Sequence, residues 1–232
     1  MKIAIMQPYL FPYIGYFQLI NAVDKFVIHD DVQYIKGGWI NRNRILVDSK
    51  EYMFTFSLKK ASSFELIKNR QFSSTKDDKE KLLRIIEYAY GKSPFYNDAI
   101  AVIKDSLSIN TDNVATFIYN TIRKICEYLN IHTEIILSSS IKKDETLKGQ
   151  KRVLHLCKQL GAVQYINPIG GTSLYMKDEF HEQAVTLNFL ETNPIVYKQF
   201  NSEFVASLSI IDVIMFNSKV KVRELLTEYN LI

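Results

Sequence analysis

The 232-residue chain is short of several residue types, and each shortage excludes a class of protein. Its two cysteines, Cys126 and Cys157, lie far apart and outside any Cys-x-x-Cys pair. We therefore predict reduced, buried thiols, with neither a disulfide framework nor a structural zinc site. The net charge is only +4, and acids and bases are mixed along the chain, which gives no argument for binding nucleic acid.

Long apolar runs are also missing from the sequence. No stretch approaches the ~20 apolar residues that a membrane span needs. One lysine precedes the amino-terminal apolar run, and Gln7-Pro8 interrupts it before it reaches the length of a signal peptide. We therefore expect a cytoplasmic protein without a membrane span.

Apolar patterns predict an α/β fold, with a mainly parallel sheet flanked by helices. Residues 3–6 and 25–29 have the length and β-branched content of buried strands. Residues 133–137 and 163–166 are predicted strands separated by a helix near 150–160, which is a βαβ pattern. Residues 44–58 predict a hairpin, and 222–229 a terminal helix. We expect a single domain over 1–232, with a helical insertion or lobe at 73–130.

The end of the second predicted strand carries the strongest chemical signal. His29, Asp30 and Asp31 follow the apolar run directly, and ligands of open α/β sheets lie beyond the carboxyl ends of strands. On an extended segment His29, Asp31 and Gln33 share a face, while Asp30 points away. We predict Asp31 as the working carboxylate, assisted by His29, with Asp30 as a further catalytic candidate. The alternative is that one carboxylate faces solvent and the other caps a turn.

A Trp/Asn/Arg cluster follows, and it suits an anionic ligand. If the segment is extended, Arg42 and Arg44 share a face and can hold a phosphate or carboxylate. The alternative is a solvated edge strand. Trp39, the only tryptophan, can stack on a sugar or base, or fill the core. Asp212 lies in an apolar run and needs a partner, for which Arg42 and Arg44 are the candidates.

Two loops complete the candidate site: the aromatic turn after the first strand and a glycine pair after a later one. We predict no metal ligands. The predicted substrate-binding residues are Gln7, Tyr9, Tyr13, Tyr16, Gln33, Tyr34, Lys36, Trp39, Asn41, Arg42, Asn43, Arg44, Gly170, Gly171 and Tyr175.

Three blocks of sequence resemble a known family. They are similar to segments of the WbqC-like family. The first block is MQPYLFPYIGYFQLI with DKFVIHDDVQY and GWINRNRI, the second is LCKQLGA with QYINPIGG, and the third is SLSIID. Many relatives have histidine before Gln-Pro, where this chain has Met6. The resemblance implies a place in O-antigen or other surface-polysaccharide biosynthesis. It also implies an acyl or aminoacyl transferase, glycyl transfer included, acting on a nucleotide-linked amino sugar.

Such a transferase would use an acyl-thioester donor, an acyl-carrier protein or a nucleotide. Two alternatives remain open. The opening strand, turn and helix are also similar to nucleotidyltransferase-type, Rossmann-like α/β domains, although Gly15-Tyr16 stands where those domains have Gly-His. That reading predicts a nucleotide with Mg²⁺ near Asp30 or Asp31. The other alternative is a non-catalytic protein that binds a sugar nucleotide.

Overall fold

The computed structural model describes residues 1–200 and 203–232. Its strands are β1 (Lys2–Met6), β2 (Lys25–Ile28), β3 (Arg42–Val47), β4 (Lys50–Thr55), β5 (Glu134–Leu137), β6 (Gln164–Pro168), β7 (Thr186–Thr192) and β8 (Tyr229–Leu231). Its helices are α1 (Ile14–Asn21), α2 (Thr75–Tyr90), α3 (Tyr96–Leu107), α4 (Val114–Leu129), α5 (Gly149–Gln159), α6 (Lys177–Glu182), α7 (Ile210–Phe216) and α8 (Lys219–Leu225).

Six strands form the central sheet, in the order β5-β2-β1-β6-β7-β8. The first five run parallel, and only β8 pairs antiparallel, with β7. This confirms the prediction of a mainly parallel α/β sheet flanked by helices. From β1 the chain adds β2 and β5 on one side and then returns to add β6 and β7 on the other. The reversal places a crevice between the carboxyl ends of β1 and β6, where doubly wound folds bind ligands.

Alternation along the strands gives each face of the sheet its own core. In β1 the side chain of Ala4 joins the larger cluster, whereas Ile3 and Ile5 join the smaller one. The smaller cluster includes residues of α5 and α6, and the larger one includes residues of α1, α4 and α7. Strands covered on both faces read as continuous apolar runs, which is why β1 and β2 are recognisable in the sequence.

The β3–β4 hairpin forms a separate two-stranded sheet fastened to the loop after β1. The buried amide of Asn43 donates to the carbonyls of Leu10 (3.0 Å) and Phe11 (2.7 Å). The Leu10 N–H in turn donates to the carbonyl of Trp39 (3.2 Å). These bonds hold Trp39 beside the carboxyl ends of the parallel strands.

Two sequence predictions about the carboxyl-terminal region are wrong. The predicted helix at 222–229 is α8, which ends at Leu225, and the chain then adds β8 to the sheet edge. The partners of Asp212 are not arginines. Its carboxylate accepts hydrogen bonds from Tyr90 (2.8 Å), Tyr197 (2.6 Å) and Gln199 (2.7 Å).

The helical stretch predicted at 73–130 contains α2, α3 and α4. Their apolar residues belong to the same cluster as those of α1 and the hairpin. Whether they form a lobe of their own stays a prediction. Among the described residues, no helix combines the length and apolar character that crossing a membrane requires.

Candidate functional site

A cavity of about 780 Å³ opens at the carboxyl edge of the sheet, between the ends of β1 and β6. We call it the main pocket. It collects side chains from the loops after β1, β2 and β6 and from the end of β7. Its polar and aromatic lining residues are Gln7, Tyr9, Tyr13, His29, Trp39, Asn167, Tyr175, Glu191 and Thr192, together with Gly170 and Gly171.

Aromatic rings form much of the wall of the main pocket. Tyr9, Tyr13 and Trp39 line it and also line a smaller cavity of about 320 Å³ next to it. Burial raises the pKa of both tyrosines, so their hydroxyls stay protonated at neutral pH and can donate hydrogen bonds. Rings with a polar tip suit the alternating apolar and hydroxyl faces of a sugar.

Two glycines allow the backbone to approach closely here. A Cβ on Gly171 would lie 1.9 Å from Oδ1 of Asn167, whose Nδ2 donates to the hydroxyl of Tyr165 (2.6 Å). A Cβ on Gly15 would lie 2.4 Å from the ring of Tyr13. Gly15 lies in the first turn of α1, where N–H groups lack partners within the helix. This end of α1 faces the main pocket and favours an electron-rich group there.

His29 lines the main pocket, while Asp31 lies behind it in a buried ion cluster. Asp31 Oδ2 pairs with Nζ of Lys143 (2.5 Å) and Nη2 of Arg152 (2.8 Å), and its Oδ1 accepts from the hydroxyl of Ser138. Nε2 of His29 is 3.7 Å from the same Oδ1. The side chains of Asp31 and Lys143 are each only 2% exposed, so the cluster is shielded from water.

The pKa shifts in this cluster follow from its charges. Burial by itself raises the pKa of Asp31, but the hydrogen bonds from Lys143 and Ser138 and the charge of Arg152 outweigh burial and lower it. Burial lowers the pKa of His29 to about 4, because the attraction of Asp31 does not offset burial and the two cations. At neutral pH we therefore expect an ionised Asp31 and a neutral His29. These contacts give no support to Asp31 as a free base.

Asp30 is buried and also engaged. It accepts from the backbone N–H (2.9 Å) and hydroxyl (2.6 Å) of Ser139. The Ser138–Ser140 turn after β5 thus binds both carboxylates. Neither aspartate lines the main pocket.

The hairpin arginines share a face but have protein partners. The guanidinium carbons of Arg42 and Arg44 lie 5.9 and 5.2 Å from the Trp39 ring centroid. Arg44 pairs with Glu51 (2.8 Å), and Arg42 donates to the carbonyls of Gly37 and Gly38. These contacts orient Trp39 and do not favour a phosphate-binding role, which stays a prediction.

Several predicted substrate-binding residues make hydrogen bonds within the protein. Tyr16 is fully buried in the core, and its hydroxyl donates to the carbonyl of Gln7 (3.0 Å). Asn41 is buried between Tyr34 and the carbonyl of Phe56. Asn43 borders the smaller cavity, although its amide is bonded to the loop after β1.

A further cavity of about 900 Å³ lies next to the main pocket and shares Gln7 with it. The predicted residues Gln33, Tyr34 and Lys36 line this second pocket, and so does Arg70. Of the predicted residues of 33–44, six thus line one or more of three adjoining cavities, whereas Asn41 and Arg42 line none of them.

Sequence reasoning missed Asn167, Glu191, Lys143, Arg152 and Arg70. Asn167 carried a readable signal, since it is a polar residue at the end of a predicted strand, just before the glycine pair. Arg152 carried none, because it lies on a helix 121 residues from Asp31.

The fold and the site define a doubly wound α/β protein with an aromatic pocket at its strand crossover point. A family model described as the WbqC-like protein family matches residues 7–224, and the chain belongs to this family. The chain is also 28% identical over 221 residues to the uncharacterized protein Rv1507c of Mycobacterium tuberculosis. This match covers 93% of each of the two chains. No solved structure matches this chain.

Proposed function

We propose that this protein is a transferase that moves an acyl or aminoacyl group onto the amine of a nucleotide-linked amino sugar. The family resemblance suggests that the product enters O-antigen or other surface-polysaccharide biosynthesis. The observation that carries the proposal is the main pocket. It has the size of a ligand site, lies at the crossover between β1 and β6, and combines aromatic walls with a few polar groups.

The lining of the main pocket supports an amino sugar as the acceptor. Tyr9, Tyr13 and Trp39 offer rings for the sugar face, while Gln7 and Asn167 offer donors and acceptors for its hydroxyls. Glu191 also lines this pocket and can hold an ammonium group. We therefore assign the sugar to this pocket, with its amine between Glu191 and His29.

The reaction forms a C–N bond and breaks the bond to the leaving group of the donor. With a thioester donor, the amine nitrogen attacks the carbonyl carbon, the C–S bond breaks, and the amine proton passes to the departing thiolate. Among the described residues that line the main pocket, His29 is the one imidazole, and its lowered pKa leaves it neutral at pH 7. We assign His29 as the proton carrier and the N–H groups at the start of α1, where Gly15 lines the pocket, as donors to the carbonyl oxygen.

A transfer assay tests the proposal. The protein is incubated with acetyl and glycyl thioesters and a panel of nucleotide-linked amino sugars, and mass spectrometry detects the acylated sugar. We expect one amino sugar to gain the acyl mass, while the matching hydroxy sugar does not. His29→Gln should lower kcat about 10²- to 10⁴-fold. Tyr88→Phe, at an exposed tyrosine that does not line the main pocket, is the control and should not change kcat.

Two results would contradict the proposal. One is the absence of acylated product from every amino-sugar nucleotide of the panel. The other is wild-type turnover by His29→Gln, which would remove His29 from the chemistry.

One observation favours a second candidate, a sugar-nucleotide-binding protein without turnover. Both aspartates have protein partners, which leaves His29 and Glu191 as the described acid–base groups of the main pocket besides tyrosines. This candidate predicts saturable binding of the sugar nucleotide with no acyl product. It also predicts that His29→Gln changes affinity alone.

A further inference from the structure

Arg70 is a buried cation without an ionic partner among the described residues. The residue is only 7% exposed, and it lies in the wall of the second pocket. Among residues 1–200 and 203–232, its side chain makes one long hydrogen bond, from Nη2 to the carbonyl of Lys59 (3.4 Å). Its Nε is buried without any partner in the same residues, and no carboxylate there forms an ion pair with it.

A buried guanidinium in this state is costly, because charged groups lose hydration on burial and are normally paired. The ring of Tyr34 lies 4.8 Å from the guanidinium carbon and compensates part of that cost through a cation–π contact. The ring satisfies no N–H donor, however. The side chain therefore retains donors for an acceptor that enters the pocket.

The backbone holds Arg70 in place on both sides. Its N–H donates to the carbonyl of Ile67 (3.0 Å), and its own carbonyl accepts from the N–H of Val114 at the start of α4 (3.0 Å). The backbone of Arg70 is thus fixed before any ligand arrives, and the ring of Tyr34 lies against its guanidinium. Less freedom remains to be lost on binding.

The rest of the pocket has the chemistry of an anion site. Lys36 lines it as a second cation, and Ser62, Ser63 and Gln33 add polar groups. No aspartate or glutamate stands among its described lining residues. An arginine fork with a nearby lysine suits a tetrahedral oxyanion such as phosphate.

We propose that the Arg70 pocket binds a phosphate group of the ligand whose reacting end occupies the main pocket. Gln7 lies in the wall common to both cavities, so one extended molecule can reach both. The assignment to the reacting ligand rests on the proposed function, whereas the phosphate site itself does not. Two sources share this chemistry: the diphosphate of the nucleotide-linked sugar and the phosphate of a phosphopantetheine arm on the acyl donor.

Calorimetric titration of the whole protein with pyrophosphate, a nucleoside diphosphate and 4′-phosphopantetheine tests the site. We expect one or more of these anions to bind, with an affinity that falls as salt rises. Arg70→Gln and Lys36→Gln should each weaken that binding about tenfold or more. Arg84→Gln, at an exposed arginine paired with Glu80, is the matched control and should leave it unchanged. Preference for the nucleoside diphosphate assigns the phosphate to the sugar nucleotide, and preference for 4′-phosphopantetheine assigns it to the acyl donor.

Lys36 is exposed, so Lys36→Gln should fold. If Arg70→Gln does not fold, anion binding by Lys36→Gln tests the site. The proposal is overturned if none of the three anions binds, or if binding is as strong in the folded variants as in the wild type. The transfer assay is read separately. Acyl transfer that survives Arg70→Gln and Lys36→Gln unchanged removes this subsite alone, whereas anion binding without any transfer removes only the proposed reaction.

Discussion

Replacing Asp31 with Asn removes the one carboxylate of the buried ion cluster. Lys143 and Arg152, whose side chains are 2% and 11% exposed, would then face each other without an anion between them. Breaking a buried ion pair by removing one partner costs about 3–5 kcal/mol, because the remaining charge stays buried and uncompensated. We expect Asp31→Asn to lower the free energy of unfolding by that amount at pH 7, measured by urea denaturation.

The control is Glu224→Gln, which breaks an exposed pair with Lys221 and should cost less than about 1 kcal/mol. Adding Lys143→Met to Asp31→Asn removes one of the two unpaired cations and should restore part of the lost free energy of unfolding. The pH dependence gives an independent check. Because the folded pKa of Asp31 is lowered from 3.8, its contribution is fully present above about pH 4 and is lost as the pH falls further. A loss below about 1 kcal/mol, or no recovery in the double variant, would refute this account of the cluster.

Two further predictions concern the main pocket. The pKa of His29 is about 4 in the folded protein and 6.5 in the unfolded chain, so the unfolded chain binds the proton at higher pH. The free energy of unfolding should therefore fall by about 2 kcal/mol between pH 7 and pH 5. NMR titration should find His29 still neutral at pH 5.5. His29→Asn should abolish the fall in the free energy of unfolding between pH 7 and pH 5. A titration of His29 near pH 6.5 would contradict this prediction. Gly171→Ala should cost about 1–3 kcal/mol in urea denaturation because its Cβ would meet Asn167, whereas Gly170→Ala, with open space around it, should stay within about 0.5 kcal/mol. Equal effects of the two alanines would count against the close approach.

The strands of the sheet that are continuous apolar runs could be predicted from the sequence. Strands β1 and β2 are continuous apolar runs, and the β5–α5–β6 unit repeats that pattern with polar loops between its elements. Strand β8 could not be predicted, because its three residues become a strand only by pairing with β7. Its identity is a tertiary effect that local propensity does not contain.

The sequence predicted several residues that line the main pocket, but it did not predict the contacts among them. Polar and aromatic residues after the ends of predicted strands include Gln7, His29 and Tyr175, which line that pocket. The partners of Asp31 come from α5 and from the loop before it. Only the folded chain brings those residues together, so a carboxylate expected to be free is in fact held by two cations.

The arginine cluster shows the same limit. Alternation placed Arg42 and Arg44 on one face, but it could not show that Glu51 and backbone carbonyls already bind them. Arg70 had no sequence signal of its own. Its meaning depends on being buried beside a cavity without a carboxylate, and burial is a property of the fold.

The central claim is that the main pocket holds a nucleotide-linked amino sugar against its aromatic wall. Trp39 is the only tryptophan of the chain, and it lines both this pocket and the smaller cavity next to it, so intrinsic tryptophan emission reports on this part of the protein. Titration with nucleotide-linked amino sugars should change that emission saturably, and Gln7→Ala should weaken the apparent affinity. If the protein binds or acylates such a sugar while the emission of Trp39 stays constant, the ligand lies elsewhere and the account of the site is wrong.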